Sequence, residues 1–147
     1  MFNQLFIGTE LILATVVIAA LGFWAAEALV SLVGFWLIRP PHAVKLALTL
    51  LVTVLMVLAI LTLSVWVWAL AFIYLGVFET LEPAAYFSIV AFTTLGFGDV
   101  LLPLEWRILG GLAASNGLLN MGLYTAMLVE ILRRVRSEQV EGYVDEG

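Results

Sequence analysis

Three long apolar stretches dominate this 147-residue chain, and each exceeds the ~20 residues that a membrane-spanning helix requires. They occupy residues 5–38, residues 46–77 and a last segment that begins after Arg107 and ends near Leu132. The chain is 64% hydrophobic, whereas a soluble domain is usually about half apolar. We therefore expect an all-α membrane protein with three transmembrane helices.

Composition also excludes several classes of function. The absence of cysteine rules out a disulfide framework and thiolate metal sites. The net charge of −5 argues against a nucleic-acid partner, which needs a basic surface. No catalytic set of residues stands out, so we expect neither an enzyme nor an organic cofactor. The first apolar stretch is too long for a signal peptide, so we expect it to be a retained membrane segment.

Two polar interruptions separate the apolar stretches. Residues 39–45 contain two adjacent prolines, which cannot continue a helix. Glu79 and Glu82 mark a second aqueous loop, and Pro83 suits the first position of a new helix. From Pro83 to about residue 93 there are roughly ten residues, too few to cross a bilayer. This segment is expected to be a re-entrant helix whose C-terminal end carries a partial negative charge, up to about half an electron.

The stretch from Thr93 to Asp99, Thr-Thr-Leu-Gly-Phe-Gly-Asp, follows that short helix. A dehydrated cation needs a column of oxygens, which main-chain carbonyls supply when alternate residues adopt left-handed backbone angles. Gly96 and Gly98 adopt such angles at little cost, because they have no Cβ, and Thr94 adds a hydroxyl oxygen. Gly-x-Gly-Asp also occurs in turns of soluble proteins, but the double Thr and the apolar flanks favour an ion filter. Since one loop cannot enclose an axis, we expect a homotetramer.

The distribution of charge predicts the orientation. Five of the six Lys and Arg residues lie within residues 39–45 and 133–136, which the positive-inside rule assigns to the cytoplasm. The N-terminus is then outside, the C-terminus is cytoplasmic, and only Arg107 breaks the pattern. Several acidic residues are expected to gather at the outer mouth and raise the local cation concentration. These residues are Glu79, Glu82, Asp99 and Glu105.

Together these features resemble the prokaryotic potassium channels that have two pore-forming helices and one pore loop. The similarity covers about residues 46–136, and its specific part runs from Thr93 to Arg107. It implies a pore domain at residues 46–136 with an outer helix, a pore helix, a filter and an inner helix. The remaining parts would be an additional N-terminal transmembrane helix at 1–38, a cytoplasmic loop at 39–45 and a short cytoplasmic tail at 137–147.

The resemblance also implies roles for individual residues. Carbonyl oxygens, together with the Thr94 hydroxyl, would bind K⁺, while Asp99 would lie behind the filter mouth. The inner helix would bend at a gating hinge, and residues of the pore helix would support the filter. The filter would consist of Thr94, Leu95, Gly96, Phe97 and Gly98, and the first four of these would bind K⁺. The hinge residues would be Gly117 and Gly122, and the supporting residues would be Tyr86, Phe87 and Val90.

Two departures from the family pattern leave alternatives open. Leu95 replaces the usual Val and Phe97 the usual Tyr, so the phenol that normally donates a hydrogen bond behind the filter is missing. We expect a filter that is still K⁺-selective but less rigid and more prone to inactivate. The alternatives are a nonselective monovalent cation channel, a small secondary transporter, and an accessory membrane subunit with a degenerate loop.

Three polar residues inside the apolar stretches have open roles. Glu27 either lies at the inner interface, which is the simpler interpretation, or has an ion-linked or gating role. Asn116 and Asn120 are expected to contact a partner helix or a water-filled cavity. The additional N-terminal helix is expected at the lipid-facing periphery of the pore domain.

Overall fold

The computed structural model describes the backbone of residues 1–145, and the side chains up to residue 140 except those of residues 35, 37, 38 and 138. Within these residues the chain is all-helical, and three helices are long and apolar enough to cross a membrane. The predicted fold class, three long helices plus one short helix, is therefore confirmed. The elements are α1 (Phe2–Ile38), α2 (His42–Tyr74), α3 (Leu81–Phe92), a single 3-10 turn (Leu104–Trp106) and α4 (Arg107–Asp145).

The connection between α1 and α2 is shorter than the sequence suggested. Lys45, assigned to the loop on its charge, lies in the first turn of α2 and is 5% exposed. Its Nζ donates to the carbonyl oxygens of Trp36 and Arg39, the latter at 2.6 Å, and lies 4.5 Å from the Trp36 ring centroid. Because the last carbonyls of a helix have no partners within it, Lys45 caps α1 and fixes the α1–α2 turn.

Glycine ends α2 and allows the chain to turn back toward α3. Gly76 has a φ of +67° and donates its amide to Ile73, while the Val77 amide bonds to the carbonyl of Phe72. This is the hydrogen-bonding pattern of a Schellman cap. The next helix begins at Leu81, so Pro83 lies within its first turn, where the missing N–H would have no helical acceptor.

The core has two parts along the length of the bundle. Where α2, α3 and α4 meet, the large side chains of Trp68, Phe72, Phe92 and Leu109 are fully buried. A second cluster joins α1, α2 and α4 further along the bundle. It includes Ala26, Ile60, Met127 and Ile131.

One face of α4 is buried and the opposite face is exposed. Both sets recur every three or four residues, which is the spacing of one helix face. The helix also continues to Asp145, beyond residue 132 where the apolar stretch ends. The buried set is Leu109, Ala113, Asn116, Asn120, Tyr124, Met127, Ile131 and Val135. The exposed set is Ile108, Gly111, Ser115, Leu118, Gly122, Ala126 and Val129.

Helix α1 packs directly on α4 as well as on α2, so it does more than cover the periphery. Its packed face contains small residues, which allow helices to approach closely. A Cβ at Gly8 would lie 2.3 Å from the Leu112 side chain of α4, and one at Gly22 would lie 2.2 Å from the Ile60 side chain of α2. The opposite face exposes large apolar side chains such as Trp24, as expected for a helix in contact with lipid.

Candidate functional site

The loop from Thr93 to Asp99 starts as a continuation of the last turn of α3. The amides of Leu95 and Gly96 both donate to the carbonyl oxygen of Val90, at 3.0 and 3.3 Å, and the Thr94 amide donates to Ala91. These bonds hold the start of the loop against the C-terminal end of α3. Val90, predicted as a filter support from the sequence, therefore lies beneath the loop and holds it through its main chain.

The backbone of the loop alternates in handedness. Thr94, Gly96 and Gly98 have φ angles of +59°, +57° and +76°. Among the described residues, Thr94 is the only non-glycine with a positive φ, and a left-handed conformation costs such a residue about 1–2 kcal/mol. A residue held in this way is typical of a functional segment, because the surrounding structure must offset the strain.

The carbonyl oxygens of residues 94–98 are free hydrogen-bond acceptors within the part of the chain that the structure describes. None of them accepts a hydrogen bond from any residue that the structure describes. All of these residues are exposed in the single chain, including the apolar side chains of Leu95 (56%) and Phe97 (67%). The loop thus presents a run of free peptide oxygens with no protein covering it on one side.

The end of the loop is tied to the middle of α3. Tyr86 Oη donates a hydrogen bond of 2.5 Å to Asp99 Oδ2, and the other carboxylate oxygen of Asp99 accepts from the Val100 amide at 3.0 Å. The Tyr86 hydrogen bond lowers the pKa of Asp99, because it stabilises the carboxylate. The same bond raises the pKa of Tyr86, because the phenolate cannot donate. Tyr86 therefore contacts the end of the loop, where the sequence interpretation expected a filter support.

Phe87, the other aromatic predicted to support the filter, lies on a different side of α3. Its ring packs edge-on against Phe72 of α2 at 5.4 Å and lies 5.8 Å from the Phe78 ring. Edge-to-face pairs at such distances are favourable arrangements of aromatic rings. Phe87 thus fixes the orientation of α3 relative to α2, and any support that it gives the loop is indirect.

The four acidic residues predicted at the outer mouth are all exposed. Glu79 lies on the α2–α3 connection, Glu82 lies in the first turn of α3, and the other two lie between α3 and α4, all at the end of the bundle where α2 ends and α4 begins. Among the described residues no group of three His, Cys, Asp or Glu side chains is placed to hold a metal ion. These residues are Glu79, Glu82, Asp99 and Glu105.

The two glycines predicted as a gating hinge have different surroundings. Helix α4 is continuous through both of them. A Cβ at Gly117 would lie 1.8 Å from the carbonyl oxygen of Phe92, the last residue of α3, whereas one at Gly122 would meet nothing within 4 Å. Gly117 is therefore required for the close approach of α4 to the base of the loop, and the hinge role of both glycines stays a prediction.

Sequence reasoning missed two residues next to this site. The main chain of Phe92 lies against Gly117, and the Phe92 side chain is fully buried. Nothing in the sequence indicated this contact. Thr15 of α1 is hydrogen-bonded to Asn116, one residue before Gly117. The sequence signal for this contact was the pair of side-chain amides at Asn116 and Asn120, which were expected to contact a partner helix or a water-filled cavity. The structure shows that the partner helix is α1.

A comparison with models of protein families matches residues 60–134, just over half of the chain, to a family described as ion channel. The matched region runs from the middle of α2 through α3 and the loop, and it ends within α4 at residue 134. Searches of curated proteins and of solved structures found no match. With its apolar helices and its exposed carbonyl loop, the chain is a multi-pass membrane protein that belongs to the ion channel family.

Proposed function

We propose that this protein is a homotetrameric channel that conducts K⁺ passively through a central pore. The run of free carbonyl oxygens at residues 94–98, on a backbone with alternating left-handed residues, is the observation that carries the proposal. Carbonyl oxygens arranged around an axis replace the hydration shell of K⁺. The ligands would be the carbonyls of Thr94, Leu95, Gly96 and Phe97 together with the Thr94 hydroxyl.

Two surfaces that are exposed in the single chain, the loop and one face of α4, support a tetramer. Irregular backbone at membrane depth is tolerated only where it is buried in protein or lines a watery cavity. The loop meets neither condition alone, because its residues from Thr93 to Asp99 are all exposed. The exposed face of α4 begins just after this loop and offers a surface on which neighbouring copies would pack. Four copies around an axis would bring four loops together and line the pore with α4.

The remaining charges support an orientation with the loop near the extracellular side. The basic residues of 39–45 and 133–136 favour the cytoplasm for both segments, and the N-terminus would then lie outside. The acids at the outer mouth would concentrate cations before entry. The C-terminal end of α3 would direct its partial negative charge toward the ion path. Membrane lipid and further copies of the chain are the partners that this arrangement requires.

A nonselective cation channel is the second candidate, and Phe97 is the observation that favours it. A phenylalanine side chain has no hydrogen-bond donor, so it cannot brace the filter as a tyrosine would. A looser ring of carbonyls would discriminate less between K⁺ and Na⁺. The Tyr86–Asp99 hydrogen bond opposes this, because it fixes the end of the loop by another route.

Potassium flux into liposomes that contain the purified protein tests the proposal. The informative variant is Gly96→Ala, which forces a Cβ onto a residue with a φ of +57° in the loop. Gly76→Ala is a matched control, because Gly76 has a similar φ of +67° and equally open space but caps α2. We expect K⁺ flux in the wild type and in Gly76→Ala, and its loss in Gly96→Ala. Absence of cation flux in the wild type, or full flux in Gly96→Ala, would contradict the proposal.

A further inference from the structure

Helix α1 is fastened to α4 by polar contacts at three levels. The two helices run in the same direction, so the contacts follow one another along both. At the first level a Gln4 oxygen accepts from the Leu109 amide at 3.2 Å, within the first turn of α4 where amides lack helical partners. At the last level, Glu27 and Arg134 form an ion pair at 3.8 Å. The three contacts join Gln4 to Leu109, Thr15 to Asn116, and Glu27 to Arg134.

The middle contact is a buried cluster of three polar side chains. Asn116 Nδ2 donates to Thr15 Oγ1 at 2.7 Å, and Asn120 Nδ2 donates to Asn116 Oδ1 at 2.7 Å. Thr15, Asn116 and Asn120 are at most 1% exposed. A polar group in this position has no water to replace a lost partner, so the cluster fixes the register of α1 against α4.

A neighbouring part of the buried side of α4 contacts the end of α3 at this level. Gly117 follows Asn116 and lies so close to the Phe92 carbonyl that a Cβ would be 1.8 Å from its oxygen. Phe92 is the last residue of α3, and the loop begins at the next residue, Thr93. One level of α4 is therefore held between Thr15 on α1 and the base of the loop.

From this arrangement we propose that α1 is a built-in gating element that controls conduction through α4. Thr15 is a positioning residue: it holds Asn116, and Asn116 holds the adjacent Gly117 against Phe92. A shift of α1 would move α4 relative to Phe92 and so change the fraction of time for which the pore conducts. This inference rests on the proposed channel function, and it gives a role to α1, which lies outside the region matched to the ion channel family.

A double-mutant cycle on single-channel currents tests the coupling. The variants of the full chain are Thr15→Val, Asn116→Leu and the double mutant. Thr9→Val is the matched control, because Thr9 is exposed on the same helix and donates only to the Leu5 carbonyl of its own helix. We expect each cluster variant to change the ratio of open to closed time by about twofold to thirtyfold, the range for coupled residues. The double mutant should change it no more than either single variant, and Thr9→Val should leave it unchanged.

The natural absence of cysteine allows a second test, in which one variant is compared with itself before and after reduction. The double variant Thr15→Cys with Asn116→Cys places the only two thiols of the chain at the contact. A disulfide there would lock α1 to α4 in channels that are already assembled. We expect reduction of this bond to change the open probability reversibly, while Thr15→Cys alone does not respond to the reductant.

The outcomes separate this inference from the proposed function. Additive effects in the cycle, a Thr15→Val channel that gates like Thr9→Val, or an unchanged open probability on reduction of a verified disulfide would overturn the role of α1. Each of these results requires a conducting channel, so the proposed function would stand. Absence of cation current in the wild type would instead overturn the proposed function, and the inference with it.

Discussion

The phenolic oxygen of Tyr86 lies 2.5 Å from the carboxylate of Asp99 and donates a hydrogen bond to it. Tyr86 belongs to the middle of α3, and Asp99 ends the loop that follows that helix. The Tyr86–Asp99 hydrogen bond holds the end of the loop, and the bonds from the Leu95 and Gly96 amides to the Val90 carbonyl hold its start. The residues with free carbonyl oxygens, 94–98, start within the first attachment and end just before the second.

Replacing Tyr86 by Phe should release the far end of the loop. The hydrogen bond from Tyr86 is the main cause of the lowered pKa of Asp99, so this pKa should rise in Tyr86→Phe toward the ordinary value of about 3.9. A lowered carboxylate pKa contributes stability above the ordinary pKa and loses it as the pH falls through the lowered value. The wild type should therefore lose this contribution on acidification, whereas Tyr86→Phe lacks it already at neutral pH. The variant should be less stable than the wild type at neutral pH, and the two stabilities should converge in acid.

The carboxyl carbon shift of Asp99, followed as a function of pH, measures this difference directly. The thermal stability of the purified protein in K⁺ over the same acidic range is the second readout. Tyr74→Phe is the control, because Tyr74 is 91% exposed at the end of α2. An Asp99 titration curve that is identical in wild type and Tyr86→Phe would show that the hydrogen bond does not persist in the membrane.

Gly117 and Gly122 should respond differently to the same substitution. Alanine at Gly117 places a methyl group 1.8 Å from a main-chain oxygen, which is overpacking that costs about 1–3 kcal/mol or more. Alanine at Gly122 meets nothing within 4 Å in its own chain and should favour the helical state of α4 by up to about 1 kcal/mol. We expect Gly117→Ala to lower the thermal stability of the purified protein and its cation flux. Equal stability of the two variants would refute the close approach of α4 to Phe92.

Phe97→Tyr should make the filter more rigid. The substitution adds a phenol that is able to donate a hydrogen bond behind the filter, and the side chain is 67% exposed in the single chain, where it has room. We expect slower decay of the K⁺ current during prolonged opening than in the wild type. Phe97→Leu, which adds no donor, is the control, and equal decay in wild type and Phe97→Tyr would show that the missing phenol does not limit the filter.

The sequence predicted those features that depend on local signals. Hydropathy located the long helices, and the prolines at Pro40 and Pro41 located the break between α1 and α2. The left-handed backbone at Gly96 and Gly98 followed from the absence of a Cβ. The left-handed angle at Thr94 was not predicted for that residue, because a β-branched side chain disfavours it.

Contacts between distant residues could not be predicted in the same way. The hydrogen bond from Asn116 to Thr15 joins residues 101 positions apart, and the sequence indicated only that the amide needed a partner. Gly117 was chosen from a family resemblance as a hinge, but its approach to Phe92 depends on how α3 packs against α4. Lys45 was assigned to a loop because of the two prolines and the charges of residues 39–45, although it lies in α2 and its long side chain reaches back to cap α1.

The central claim, that the loop at residues 94–98 selects K⁺ with its peptide oxygens, is tested most directly by a bi-ionic reversal potential. Purified wild-type protein in a planar bilayer would face K⁺ on the cytoplasmic side and an equal concentration of Na⁺ on the other. We predict currents that reverse at a strongly negative cytoplasmic potential, because K⁺ passes and Na⁺ does not. Currents that reverse near zero would show that Na⁺ passes as readily as K⁺, and would contradict selection by this loop.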